Sequence, residues 1–186
     1  EPGEFGAGGS DGTELAWFAN TGTTAPTNAT GALDAGFKGA GGVSEDGMTV
    51  AFNQETNDIR FYGSRTIQRR VIRSEEQTFQ MTLLEHNEIS LALYHNKALG
   101  SISPAVGTGA FSLTTGTSTA LQSYAMVAQI VDGVNVTRIY CPNVQVTGRG
   151  NIVYSAGNPV GYEITLTAYP VAGVAIQWFY AIPSLG

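Results

Sequence analysis

The residues able to do chemistry are few, and their spacing argues against most of it. The two histidines, His86 and His95, sit nine apart, beyond the i, i+4 spacing that puts two metal ligands on one helix face. The plainer reading of each is a polar surface residue. Glu85 beside His86 would offer an acid and a base, but adjacent side chains point apart and nothing else converges on them. Glu45–Asp46 before Gly47 lacks the alternating oxygen ligands of a calcium loop and reads as a turn. Cys141 is the single cysteine, which excludes an intrachain disulfide and any multi-cysteine metal site. Beside Pro142 it reads as a small buried apolar residue. No Gly-x-Ser-x-Gly elbow, phosphate-binding loop or His-Glu-x-x-His motif is present. No enzyme activity, cofactor or metal is expected.

One dense basic feature remains: Arg65, Arg69, Arg70 and Arg73. Nucleic-acid binding would call for interleaved aromatics and a surplus of positive charge. The chain has 9 Lys and Arg against 15 Asp and Glu, a net charge of −6. Pairing with acids on a neighbouring strand or subunit is the better reading. In a strand, Arg69, Val71 and Arg73 share one face, and Arg70 and Ile72 the other. Charge on both faces is odd for a monomeric sandwich, which keeps one face apolar. It is natural in a sheet that meets a copy of itself. Charged residues make up 13% of the 186 residues, where about 25% is usual. Sparse charge on apolar strands points to an assembly subunit, because bare strand edges otherwise pair at random.

The elements that must carry these residues are mostly strands. Glycine is abundant, at 24 residues, and Thr, Ser and Val are frequent. Residues 14–19, 48–52 and 58–63 read as short strands, with 53–57 a polar loop between the last two. Residues 65–73 and 76–84 read as an antiparallel pair around Ser74–Glu75, a tight reversal or a bulge. In the second, Gln77, Phe79, Met81 and Leu83 share one face. Residues 87–97 are the best helix, with Asn87 as N-cap, Glu88 in the first turn, Lys97 in the last and Gly100 at the end. Residues 32–38 could make one helical turn. The Ser/Thr/Gly stretch 101–120 holds one strand candidate, 110–113. Asp132–Gly133 between 121–131 and 134–141 signals a hairpin, and 142–147 extends the pattern after Pro142. Residues 160–169, with Tyr162, Ile164, Leu166 and Ala168 on one face, and 174–182 complete roughly eight strands. The Gly-rich residues 1–13 read as a flexible arm ahead of one domain, 14–186. No basic region followed by an apolar stretch opens the chain, so no signal peptide is expected. No run reaches the ~18 apolar residues of a membrane span.

Five segments in order then carry a resemblance. Gly42-Val43-Ser44-Glu45-Asp46-Gly47-Met48-Thr49, with Thr56-Asn57-Asp58-Ile59-Arg60 after it, resembles a stretch of the major tail tube proteins of long-tailed, non-contractile bacteriophages, especially those of actinobacteria. Arg70 to Leu84, with Glu85, Asn87 and the 87–97 helix, is similar to the family's strand and helix. Pro142-Asn143-Val144-Gln145-Val146-Thr147 and Gly161-Tyr162-Glu163-Ile164-Thr165-Leu166-Thr167-Ala168-Tyr169-Pro170 are similar to two of its strands. Thr21 to Pro26 and Ala32 to Lys38 resemble its opening. The likeness covers about residues 15–170.

The resemblance implies a mainly β, sandwich or barrel-like tail tube subunit with one flanking helix. It implies six subunits in a ring, rings stacked into a tube, and a lumen that conducts the viral genome without sequence-specific binding. The implied partners are further copies, the tape measure, tail tip and terminator proteins, and DNA. The implied location is the virion tail, after assembly in the host cytoplasm. An acidic lumen repels phosphates, so DNA slides without sticking. Glu75, Glu76 and Glu163 are the candidate lumen or intersubunit acids, with Arg69, Arg70 and Arg73 as the candidate intersubunit cations. Asp58, Arg60, Phe61, Tyr62 and Arg65, together with the arm 1–13, are the candidate ring-to-ring contacts. Two other readings stand beside this one. The first is an Hcp-like tube of a contractile machine. The second is a carbohydrate- or surface-binding sandwich, for which Trp17, Trp178, Phe179 and Tyr180 would have to converge on a groove.

Overall fold

Alternation of apolar and polar residues with a period of two recurs along the chain, and it builds one antiparallel sheet. The computed structural model describes residues 15–63, 65–117, 120–155, 157 and 159–185; the expected arm 1–13 lies outside them. The strands are β1 (Ala16–Asn20), β2 (Lys38–Gly39), β3 (Val43–Ile59), β4 (Arg69–Leu83), β5 (Ser123–Asp132), β6 (Asn135–Arg149), β7 (Tyr162–Ala168) and β8 (Gln177–Ala181). One helix, α1 (Glu88–Tyr94), follows β4, and a single 3-10 turn spans Pro183–Leu185. The sheet order is β2-β1-β5-β6-β7-β4-β3. Strand β8 lies on the same edge of β6 as β7, end to end with it: Tyr140 faces Gln177, and Val144 faces Ala168.

Chain connectivity forces this sheet to curl. Strands β2 and β3 are its two ends, yet only Ala40, Gly41 and Gly42 separate them. Laid flat, the strands of that path would put its ends about 29 Å apart at ~4.8 Å per strand. From Gly39 to Val43 the chain reaches at most about 14 Å. The ends must therefore meet, which gives the barrel-like body. The connector is tied to both sides: Ala40 N–H donates to the Ala16 carbonyl at 2.9 Å, and Leu84 N–H to the Gly42 carbonyl at 2.9 Å. Gly41 sits at φ +82°, and a Cβ there would run into the Glu85 carboxylate and the Asn87 amide.

The inside of the curl is the main core. Phe18, Phe79, Met81, Leu83, Tyr124, Met126, Ile139, Ile164 and Leu166 meet there, with Ile89 and Leu93 of α1. Each large side chain contributes roughly 1.5–3 kcal/mol on burial. Asn87 caps α1: its Oδ1 accepts from Ile89 N at 3.0 Å and Ser90 N at 2.8 Å, and Ser90 Oγ accepts from Asn87 N at 3.1 Å. Glu88 in the first turn pairs with Lys38 at 2.7 Å. The helix stops at Tyr94, earlier than Lys97. Asn96 adopts φ +54°, and Lys97 N–H returns to the Ala92 carbonyl at 2.8 Å, so an Asn rather than Gly100 closes it.

Several local readings need correction. Residues 44–47 and 53–57 are not a turn and a loop: with 48–52, Asp58 and Ile59 they form the single long strand β3, and 60–63 lie beyond its end. Residues 69–83 are one strand with no reversal at Ser74–Glu75, and its partner is β3. A bulge does occur there, since Glu55 faces Ser74 and Thr56 faces Ile72, leaving Arg73 extra. Residues 110–113 form no strand, and 32–38 form a turn at Ala35–Gly36 rather than a helical turn. The hairpin loop is Gly133–Val134, because Asp132 and Asn135 still pair. Gly133, at φ +60°, takes the first central position that only glycine fills easily. Pro142 does not end its strand. It lies with Asn143 in a bulge opposite Ala125, between the Tyr124–Val144 and Met126–Cys141 pairs. Proline is tolerated at a bulge. The extra residue turns Val144 and Val146 into the core beside Ile139 and Cys141.

Candidate assembly surface

Strand β4 pairs with β7 only from Gln77 to Leu83. Beyond that, β3 and β4 continue alone as a two-stranded arm to the Ile59–Arg69 pair, about 25 Å at ~3.3 Å per residue. Its residues are exposed on both faces except for a half-buried Val71. A lone two-stranded ribbon is marginal in water. The arm carries five of the chain's nine cations, namely Arg60, Arg65, Arg69, Arg70 and Arg73, and four acids, Glu55, Asp58, Glu75 and Glu76. That leaves four cations against eleven acids elsewhere.

Cross-strand pairing organises part of this charge. Arg70 Nε donates to Asp58 Oδ1 at 2.7 Å from the facing position of β3. That hydrogen bond, with the charges of Arg70 and Arg60 behind it, holds the Asp58 carboxyl below its ordinary range against opposing desolvation, and it raises the Arg70 guanidinium. Ser74 Oγ donates to Glu55 Oε2 at 3.3 Å. The bulge at Arg73 takes it out of the shared face expected with Arg69 and Val71, so the three do not line up. At the tip, Phe61 is 68% exposed and Tyr62 is fully exposed. Asp58, Arg60, Phe61, Tyr62 and Arg65 are thus all at the far end of the arm, while Glu75 and Glu76 are at its base.

The side of the sheet facing away from the core is polar where β3, β4, β7 and β6 run together. Asn53 faces Glu76, Thr78 faces Thr167, Gln80 faces Thr165 and Thr82 faces Glu163. Gln80 Nε2 donates to Glu163 Oε1 at 2.6 Å, Thr167 Oγ1 donates to Glu76 Oε1 at 3.3 Å, and Thr147 and Thr167 hydroxyls meet at 2.9 Å. No Lys or Arg belongs to these paired positions. Of the three candidate lumen acids, Glu76 and Glu163 share this face; Glu75 projects from the opposite one, beside Gln77, whose Nε2 donates to it at 3.2 Å.

A buried guanidinium, not singled out by sequence reasoning, secures the far side of the sheet. Arg138 is 3% exposed. Its Nε and Nη2 donate to Gln129 Oε1 at 3.1 and 2.7 Å, and its Nη1 to the carbonyls of Asn28 and Gly31 at 2.9 and 2.8 Å. Burial lowers its pKa, though never near neutrality. The loop it clamps covers a second apolar cluster of Phe37, Val127 and Tyr140. The only hint was its place between the outward Val136 and Tyr140 in a strand whose other face is also apolar.

The candidate chemistry does not assemble. His86 packs against Tyr162 with the rings tilted by 60°, and His95 caps α1, its pKa lowered first by burial and then by Arg149 and Lys97. Cys141 is buried, and burial raises its thiol pKa. Among the described residues, no three His, Cys, Asp or Glu side chains are placed to hold a metal ion, and no helix is long and apolar enough to cross a membrane. The four aromatics of the surface-binding reading do not share one groove; only Trp178 and Tyr180 stack on each other, at 6.3 Å. Trp17 and Phe179 pack on the outer cluster, while Trp178 lies against the inner core.

Comparison with known proteins gives this surface a context. No curated protein matches the chain. Among solved structures, a chain from the virion of a native gene transfer agent particle is 10% identical, over 94% of this chain and 99% of that one, with a TM-score of 0.44. A chain from the tail of an empty gene transfer agent particle of C6 symmetry is 11% identical, over 85% and 92%, with a TM-score of 0.43. A model of the phage tail tube protein family matches residues 12–181. That match takes in every strand and the helix, and the chain belongs to the phage tail tube protein family.

Proposed function

We propose that this tail tube subunit closes into six-membered rings that stack into a non-contractile tube, with the polar β3–β4–β7–β6 face lining the lumen through which the viral genome passes. The observation that carries the reading is the arm. It extends about 25 Å past the strands that support it, exposes both faces and leaves strand edges open. Ordering a residue costs about 1–2 kcal/mol of conformational entropy, and the arm buries little of its own to offset that. A neighbouring copy supplies the missing contacts and pairs the open edges.

The polar face suits a conduit. Its Thr and Gln side chains offer hydrogen bonds but no cation to hold a phosphate. Glu76 and Glu163 repel it, and phosphate binding needs neutralising Lys or Arg. Six-fold closure, a tape measure, a tail tip and a terminator protein as partners, and assembly in the host cytoplasm follow from the family resemblance.

The test is sedimentation velocity of the purified chain over a wide concentration range, beside a variant in which residues 55–74 are replaced by a two-residue Asn-Gly turn. The full chain is expected to form large, concentration-dependent polymers and the shortened chain to stop at small oligomers. Polymerisation that is indifferent to the arm would sink the reading.

A further inference from the structure

The assembly reading leaves open where the arm tip goes, and the groove at the arm base answers it. This groove, of about 480 Å³, is lined by Glu75, Gln77, Pro170, Val174, Ile176 and Trp178. Its floor is apolar. Trp178 is the middle ring of a ladder, with Phe52 at 6.4 Å on one side and Tyr180 at 6.3 Å on the other. Phe52 and Tyr180 are more than half exposed. Its polar wall is incomplete: Gln77 gives its amide N–H to Glu75, while its Oε1 is buried with no hydrogen-bond partner. A buried acceptor left without a donor is destabilising. Glu75, exposed on this wall, favours a cation there, next to an apolar group that covers Trp178.

The arm tip has the complementary chemistry. Phe61 and Tyr62 stand exposed between Arg60 and Arg65, with Ile59 at 41% exposure behind them. Aromatic and arginine side chains are the usual anchors of protein interfaces. The chain cannot fill its own groove, because its tip lies about 25 Å along the strand direction from the base. Resting on the tube reading, we infer that the tip of one subunit, at Arg60, Phe61, Tyr62 and Arg65, docks into the groove of a second copy in the adjoining ring. Phe61 or Tyr62 then covers Trp178, and Arg60 or Arg65 meets the Glu75 carboxylate. A plug and a socket on different parts of one chain make a heterologous contact, which propagates along an axis when its rotation does not close a ring. That is the contact type an axial stack of rings needs.

The experiment is proximity cross-linking in assembled tubes. Cys141 is buried and its thiol pKa is raised, so it stays silent toward maleimides. A Tyr62→Cys, Ile176→Cys double variant treated with a short bis-maleimide is expected to give a ladder of dimer, trimer and higher species. Each single variant is expected to stay monomeric on the gel. Tubes that form without a ladder, or single variants that cross-link as well as the double, overturn the plug and socket while leaving the tube reading intact. A wild-type chain that never polymerises overturns both. A second readout avoids dependence on the cysteine pair. Glu75→Arg is expected to raise the concentration needed for assembly at least tenfold, and added Arg65→Glu or Arg60→Glu to restore it. Restoration by neither overturns the proposal.

Discussion

Replacing Arg138 with Met removes the guanidinium and keeps much of the stem, so it isolates the clamp on the 21–37 loop. Four hydrogen bonds disappear, at 2.7 to 3.1 Å. Hydrogen bonds to charged groups are worth about 1.5–3 kcal/mol each, but they do not add here. The carbonyls of Asn28 and Gly31 belong to an exposed loop and regain water. Gln129 is 8% exposed and cannot, so its Oε1 is stranded at about 1–3 kcal/mol. Loss of a costly buried charge offsets part of this. The net expectation is about 2–4 kcal/mol. With a urea m-value of about 2–3 kcal/mol per M, the unfolding midpoint falls by about 0.7–2 M, measured by circular dichroism below the assembling concentration. Limited proteolysis should cut within 21–37 first. Adding Gln129→Leu should recover about 1 kcal/mol, because removing both partners spares the stranded acceptor. A loss under about 0.5 kcal/mol, the scatter of an ordinary surface substitution, would refute the reasoning.

Other perturbations test other joints. Gly41→Ala meets both a positive φ and the Glu85 and Asn87 side chains, and should lower stability by about 1–3 kcal/mol in a thermal melt. Asn87→Ala uncaps α1 and releases the Ala40 carbonyl, which Asn87 Nδ2 reaches at 2.9 Å; about 1–2 kcal/mol should be lost, with Asn87→Asp retaining the cap. The Asp58 carboxyl should titrate below its ordinary 3.8 by NMR, and Arg70→Gln should bring it back up. Because the folded value is the lower one, the pair's contribution is complete above the ordinary value and fades as pH falls through the folded one. A midpoint unmoved by Arg70→Gln would break the cross-strand assignment.

What the sequence revealed tracks burial. The 79/81/83 and 162/164/166/168 alternations were legible because their inner faces pack in one core, whose edge Gln77 marks. Asn87 and Glu88 announced α1 because capping is a local interaction. The long β3 was not legible across 53–57. Periodicity reports a buried face, and the arm has none within its own chain. The bulges at Arg73 and Pro142 shift which residues face inward, a register effect set by partner strands rather than by local propensity. Arg138 was invisible as a clamp because its loop acceptors lie 107 and 110 residues away in sequence. The resemblance located the charged arm residues, while their pairing, Asp58 with Arg70, and the separation of Glu75 from Glu76 and Glu163 required the register.

The most direct measurement is image reconstruction of tubes assembled from the purified chain. The account predicts hollow tubes of stacked six-membered rings, with Glu76 and Glu163 facing the lumen and the β3–β4 arm bridging from one ring to the next. Monodisperse monomers at every concentration, or tubes with that polar face turned outward, would contradict it.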